Sequence, residues 1–363
     1  MKIAQVAPLF ERVPPKRYGG TERIISYLTE ELVRQGHDVT LFASGDSITS
    51  ATLVPVIPES VRKDGTKESW LAHHLTEMDL VSELAETFDI IHFHTDYLHF
   101  PIARLLPAPH VTTLHGRLDL QELVPLYRRF ADMPLVSISQ EQRAPLPWMN
   151  WVDTVHHGLP ADLYSCGPGN GGYFVFLGRI SPEKRLDRAI AIARKCDMPL
   201  VIAAKIDCAD QIYFNEIISP MLSDPMVKFI GEVEENEKRT LLQNAHALLF
   251  PIDWPEPFGL VMIEAFACGT PVVAYRRGST PEVMEHGVTG FLVTNQEEAL
   301  IAARNIDSID RKLCRKAFDR RFTVARMASR YVRAYEHVIS AARLMASRSS
   351  LRIARSRERG ASH

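Results

Sequence analysis

Two carboxylates eight positions apart, Glu256 and Glu264, stand on either side of the turn Pro257-Phe258-Gly259. The turn opens into Leu260-Val-Met-Ile-Glu-Ala-Phe-Ala267, which reads as the start of a helix. One acid then lies in the loop before the helix and the other one to two turns inside it. The amides of Phe258, Gly259 and Leu260 become the open donors of the helix start, and such donors bind anions. Acids beside a phosphate would repel it, so the pair reads better as two hydroxyl acceptors. Anion-binding amides between hydroxyl-binding carboxylates suit a sugar nucleotide. A capped helix with surface acids is the plainer alternative for the segment alone.

Two cations extend the pattern. Leu177-Gly178-Arg179-Ile-Ser-Pro-Glu-Lys184-Arg185 follows an apolar strand. Gly178 lets the chain turn, and Arg179 and Lys184 project near the strand's C-terminal end, where doubly wound sheets bind ligands. Fixed cations there would stabilise the charge that builds on a departing diphosphate, and both are expected to be exposed in an empty cleft. Tyr18-Gly19-Gly20-Thr21-Glu22 sits at an earlier strand-to-helix junction. Its paired glycines let backbone amides approach a phosphate closely, and Thr21 could cap the helix.

Histidines gather at strand ends: His92, His94 with Asp96, and His115. Alternating histidines are read here as pointing to opposite faces of the strand, so no metal site is expected. His92 reads as a structural histidine. There is also no Asp-x-Asp at a strand end. Asp307 and Asp310 are three apart in a helical region and do not qualify.

These groups need a scaffold. In the first half, Ile3–Ala7, Val39–Ala43, Ile90–Phe93, Val111–Leu114 and Leu135–Ile138 read as short strands. Helices are expected over Thr21–Gln35, with Ile24, Ile25, Leu28, Leu32 and Val33 at helical spacing, and over Trp70–Thr87. Cys166-Gly-Pro-Gly-Asn-Gly-Gly172 is a turn-rich linker. A second series follows it: Tyr173–Leu177, Leu200–Ala204, Val227–Ile230, Ala247–Phe250, Val272–Ala274 and Phe291–Val293. Strands alternating with helices in two series imply an α/β protein of two Rossmann-like, doubly wound parallel-sheet domains facing across a cleft.

The run 256–293 continues through Cys268-Gly-Thr-Pro-Val-Val-Ala274, Pro281-Glu-Val and Gly287-Val-Thr-Gly-Phe-Leu-Val293. It resembles the donor-binding segment of retaining glycosyltransferases of family 4, which have the GT-B fold. The carboxylate pair matches that family's Glu-x7-Glu motif. The resemblance implies that Glu256 contacts donor-sugar hydroxyls, Glu264 holds the ribose, and the backbone of Phe258, Gly259 and Leu260 lies along sugar and diphosphate. Arg179 and Lys184, after Gly178, resemble the family's diphosphate-binding pair. Arg185 stands where the family usually has Gly, which puts the local turn in question. Phe229-Ile-Gly231-Glu-Val233 resembles the strand end lining the base pocket, and Gly19-Gly20 the loop reaching the phosphates. His115, in Thr112-Thr-Leu-His115, resembles the active-site histidine that meets an outer sugar hydroxyl and the phosphate. Glu22, His94 and Asp96 are lesser, acceptor-side candidates. His157 replaces a usual Asn, and no role is carried over to it.

The expected reaction is transfer of a sugar from a nucleotide diphosphate sugar, UDP-linked by base rate, to a hydroxyl acceptor, without metal or cofactor. A sugar-nucleotide 2-epimerase of the same architecture and a catalytically inactive sugar-nucleotide-binding protein are the rivals. The first is disfavoured by the clear carboxylate pair, the second by the presence of all four charged groups. A nicotinamide-dependent dehydrogenase lacks its Gly-x-Gly-x-x-Gly.

Composition agrees. The 363 residues suit two domains, and 46% apolar with 24% charged is ordinary for a globular protein. A net charge of −2 gives no general pull toward nucleic acid. Five cysteines (166, 196, 208, 268, 314) without CxxC spacing read as free thiols of a cytoplasmic protein. The expected domains are 1–165, 166–322, a helix 323–345 crossing back to the first domain, and a basic tail 346–363. Six arginines from Arg343 onward against Glu358 make that tail read as disordered. Peripheral contact with the inner face of a membrane is its alternative use.

Overall fold

The computed structural model describes residues 1–17, 19–61 and 70–360, with side chains as far as Leu344. Tyr18 lies outside the described residues. The first domain is a seven-stranded sheet of β1 (Lys2–Val6), β2 (Asp38–Ala43), β3 (Thr52–Pro55), β4 (Ile90–Phe93), β5 (His110–Thr113), β6 (Leu135–Ser137) and β7 (Trp151–Thr154), in the order β3-β2-β1-β4-β5-β6-β7. The second is a six-stranded sheet of β8 (Phe174–Arg179), β9 (Leu200–Lys205), β10 (Val227–Phe229), β11 (Ala247–Phe250), β12 (Val272–Tyr275) and β13 (Gly290–Val293), in the order β10-β9-β8-β11-β12-β13. Every pairing in both is parallel. Strand order reverses beside β1 and again beside β8. These are the crevices where such sheets take ligands.

Parallel strands covered on both faces need continuous apolar side chains. β4 and β11 accordingly are buried at all four positions. The helix Gly20–Arg34 buries Ile24, Ile25, Leu28 and Leu32 against the first sheet. A continuous apolar cluster joins the two domains, running from Ile3 and Leu28 through Phe258, Phe266 and Phe322 to Tyr331 and Tyr335.

Two strands lie outside the sequence reading. β3 and β7 are edge strands with few buried positions, so they carry no apolar run. The linker 166–172 is irregular, as its composition implies, but it is bound along its length to the second domain. Gly167, Gly169 and Gly171 donate to the carbonyls of Cys268, Gln243 and Asn244 at 2.9, 3.0 and 2.9 Å. The two domains meet instead where Leu159 forms a parallel bridge with Thr323. A Cβ on Gly158 would lie 2.4 Å from the Thr323 carbonyl oxygen, so glycine permits the two segments to cross side by side.

The last helix spans Val324–Gly360 and returns to the first domain, where Tyr331 and Tyr335 are fully buried. It continues through residues for which the sequence suggested disorder. Ala, Leu, Met and Arg favour helix, and no proline interrupts the segment. Residues 361–363 lie outside the described residues, as do the side chains of Arg348, Arg352, Arg355, Arg357, Glu358 and Arg359.

Candidate active site

Both switch-point crevices open into one interdomain cleft of about 610 Å³. Its walls carry Gly19, Gly20, Glu22, His94, Asp96 and His115 from the first domain. From the second come Gly178, Arg179, Lys184, Val233, Glu256, Phe258, Gly259, Leu260 and Glu264. Of the sequence-derived candidates, Gly231 does not line the cleft. It sits behind at φ 75°, its carbonyl accepting from Ala204 N at 2.9 Å, and its glycine conformation turns Glu232 and Val233 to the wall.

Two helix starts face each other across this space. The helix Leu260–Ala267 begins after Gly259, which holds a left-handed φ of 79°. The helix Gly20–Arg34 begins after Gly19, and a Cβ on Gly20 would stand 3.4 Å from the Leu260 side chain. The N-cap position is therefore Gly19 and not Thr21, which lies inside the first turn. With no capping side chain, the donors of this end are left for a ligand. The Phe258 side chain is packed into the domain junction. It is 2% exposed, with its ring centroid 4.9 Å from His157 and 6.2 Å from Phe322, and so pins the loop to the interdomain core.

The carboxylates face the cleft with cations already on them. Glu256, 8% exposed, accepts from Lys184 Nζ and, at 2.9 Å, from Trp254 Nε1. Lys184 also lies over the Trp254 ring, 4.8 Å from its centroid. Glu264, 5% exposed, accepts from Lys238 at 2.6 Å. Lys238 also meets Glu235 at 3.1 Å, and Glu235 reaches across the cleft to Arg23 at 2.7 Å. Arg179 is bonded to Glu183 at 2.5 Å, with Asp210 at 3.3 Å and Asp207 at 3.6 Å. Arg179 and Lys184 are thus half-buried and ion-paired where exposure was expected. Neighbouring carboxylates partner these cations, as charges held in a partly buried cleft require. Arg23, Lys238, Trp254 and Glu235 were missed in the sequence. Only a capping pattern, Glu234 with Glu237, hinted that the helix bearing Lys238 begins here.

Arg185 keeps a left-handed conformation at φ 53°, ψ 49°, so the turn survives without its glycine. The side chain is held by Asp187 at 2.7 Å and Asp253 at 3.2 Å, contacts that offset the backbone cost. A different glycine matters more to the site. Gly278, at φ 53°, packs so closely that a Cβ would lie 2.3 Å from Glu256 N and 2.5 Å from its carbonyl oxygen. Gly278→Ala is expected to cost about 1–3 kcal/mol in denaturant unfolding, the usual range for overpacking. It should also lower activity, because the displaced backbone carries Glu256.

The histidines correct the face argument. His92 and His94 are two apart and share a face, with ring centroids 4.0 Å apart, because side chains repeat every second residue. His92 is buried, with both nitrogens bonded, to Tyr335 Oη and Thr113 Oγ1, each at 2.7 Å. His94 spends both nitrogens as well, on Gln5 at 2.8 Å and His115 at 2.9 Å, which leaves neither for an acceptor. His115 stacks on His157 at 5.4 Å, so the residue in place of the usual Asn also lines the cleft. Burial drives the His115 ring down to about 3 and keeps it neutral. Asp96 is pushed up to about 6 by desolvation. Its own surface is exposed, so the cleft walls around it, and not a dry pocket, produce the push.

The arrangement is one cleft with two open helix starts, two pairs of carboxylate and cation, and a neutral histidine opposite. Two family models match the chain: Glycosyl transferases group 1 over residues 168–320, and Glycosyltransferase Family 4 over residues 18–162. The chain belongs to the family 4 glycosyltransferases. This glycosyltransferase is 25% identical over 342 residues to an uncharacterized glycosyltransferase of Methanocaldococcus jannaschii, covering 81% of this chain and 85% of that protein. It is 29% identical over 195 residues to the D-inositol 3-phosphate glycosyltransferase of Mycobacterium tuberculosis, covering 50% of this chain but only 40% of that protein. The crystal structure of Anabaena HepE in complex with UDP-glucose superposes with a TM-score of 0.70 at 20% identity, covering 94% of this chain and 100% of that one. The two-domain GT-B fold expected from the sequence is thereby shown. Among the described residues of the glycosyltransferase, no helix is long and apolar enough to cross a membrane.

Proposed function

We propose that this enzyme moves a hexose from a UDP-sugar to a hydroxyl acceptor with retention of anomeric configuration and without a metal ion. One observation carries the reading: Glu256 and Glu264 face the same cleft on either side of an open helix start, each beside a lysine. A donor would exchange these partners. Its diphosphate takes Lys184, Arg179 and the helix-start amides, its sugar hydroxyls take Glu256, and its ribose takes Glu264. Lys184 and Arg179 then do what a divalent cation does elsewhere, stabilising the charge on the departing diphosphate. In a front-face displacement the bond from the anomeric carbon to phosphate oxygen breaks. The acceptor oxygen bonds to that carbon on the same face, and the acceptor proton passes to the leaving phosphate oxygen. The UDP-glucose bound by Anabaena HepE supports the choice of donor class.

Thermal-shift measurements with UDP, GDP, ADP and their sugar conjugates test the donor. A uridine conjugate should raise the melting temperature most, since a ligand that binds only the native state stabilises it by mass action. Transfer should persist in excess EDTA. Activity lost on chelation and restored by Mg2+ or Mn2+ would overturn the metal-free reading. Conversion of the donor to its epimer without acceptor would point to the isomerase.

A further inference from the structure

Gln5 is fully buried in the middle of β1, in register with His92 of β4. Its amide bridges the last helix and the cleft. Its Nε2–H donates to the Tyr335 hydroxyl at 3.1 Å, and its Oε1 faces His94 Nε2 at 2.8 Å. His94 Nδ1 faces His115 Nε2 at 2.9 Å. His115 Nδ1 is buried and has no hydrogen-bond partner among the described residues, on a ring that lines the cleft.

With the Gln5 amide oriented in this way, the contacts assign the protons. Burial drives His94 far below the usual imidazole range, with His92, His115 and His157 adding to the effect, so both rings are neutral. A neutral imidazole has one N–H. The Gln5 oxygen accepts, which puts the His94 proton on Nε2. His94 Nδ1 is then a lone pair and accepts from His115 Nε2–H. His115 Nδ1 is left as a lone pair. The other end agrees with this polarity. The Tyr335 hydroxyl donates to His92 Nδ1, and His92 Nε2–H donates to Thr113 Oγ1, which shares a hydrogen bond with the Tyr331 hydroxyl at 3.0 Å. Both His92 nitrogens and the Tyr335 hydroxyl then have partners, as buried polar groups require.

We propose that Gln5 is a positioning residue: through His94 it holds His115 as the Nε2–H tautomer, so that Nδ1 accepts from a substrate hydroxyl and offers no proton to a phosphate. This rests on His115 meeting the donor, as in the function proposed above. It narrows the contacts implied by family resemblance to one kind.

Long-range 1H–15N NMR of protein labelled at histidine reads the tautomer directly, with His115 assigned from the spectrum of His115→Gln. The wild type should show His115 protonated at Nε2 and bare at Nδ1, and UDP-glucose should shift Nδ1. Gln5→Leu should mix the tautomers and lower kcat/KM on the order of tenfold, the loss of one hydrogen bond, while UDP affinity stays unchanged. A wild-type His115 protonated at Nδ1, or an unchanged tautomer in folded Gln5→Leu, would overturn the proposal. If the tautomer holds but UDP-glucose, bound by calorimetry, leaves Nδ1 unshifted, the hydroxyl contact is overturned. Failure of every sugar nucleotide to bind or react in the wild type would sink the function and not the tautomer assignment.

Discussion

Lys184→Ala is expected to cut turnover by about a hundredfold or more, the loss that follows removal of a fixed charge facing a developing anion. The structure adds a second cost. Lys184 is the cation on Glu256, and Glu256 is 8% exposed, so the alanine variant leaves a nearly buried carboxylate with only Trp254 Nε1 as partner. A diphosphate would then approach an unneutralised acid. Arg179→Ala should lose about as much, because Glu183 and Asp210 would lose the cation that faces them beside the same phosphates, while Asp207 keeps Lys205 at 2.8 Å. Neither residue lies in the apolar clusters, so both variants should still fold, with Lys184→Ala the less stable because it strands Glu256. Steady-state kinetics with a confirmed donor, beside circular dichroism of each variant, makes the comparison. Near-wild-type turnover in both would remove the diphosphate clamp from the reading.

The second large effect divides the two carboxylates. Glu264→Gln should weaken binding of the free nucleoside diphosphate by about 1.5–3 kcal/mol, the range for a charged hydrogen bond, because its proposed partners are ribose hydroxyls. Glu256→Gln should leave the free diphosphate nearly untouched and lose a similar amount on the intact sugar nucleotide. Calorimetry with both ligands separates the cases. The lysines sharpen the contrast. Lys238 keeps Glu235 at 3.1 Å when Glu264 is neutralised, whereas Lys184 loses its ion-pair partner when Glu256 is. Equal loss of diphosphate binding in both variants would mean that the acids do not have separate roles.

The parts of this enzyme that were legible in the sequence are those whose cause is local. β4 and β11 announce themselves because sheets covered on both faces demand unbroken apolar runs. Glu256, Glu264, Arg179 and Lys184 could be found because each pair spans one strand-to-helix turn. β3 and β7 could not, since strands with so few buried positions need no such run. The partners of the charged groups were hidden for another reason. Arg23 meets Glu235 and Gln5 meets Tyr335 across separations of hundreds of residues, which only the assembled domains bring together. The histidine faces were a different kind of miss. At a spacing of two, His92 and His94 fall on one face of the strand, which the sequence period alone implies.

The side-by-side crossing at Leu159 and Thr323 has a mechanical consequence. A single covalent tether would let one domain swing and twist freely on the other. Two adjacent tethers, bridged to each other and packed without room for a Cβ at Gly158, act as a door hung on two pins. Such a pair would oppose the torsion that slides one helix start past its counterpart. Any relative motion of the domains would then be confined to rotation about the line through both pins, which would preserve the alignment of Gly20 with Leu260.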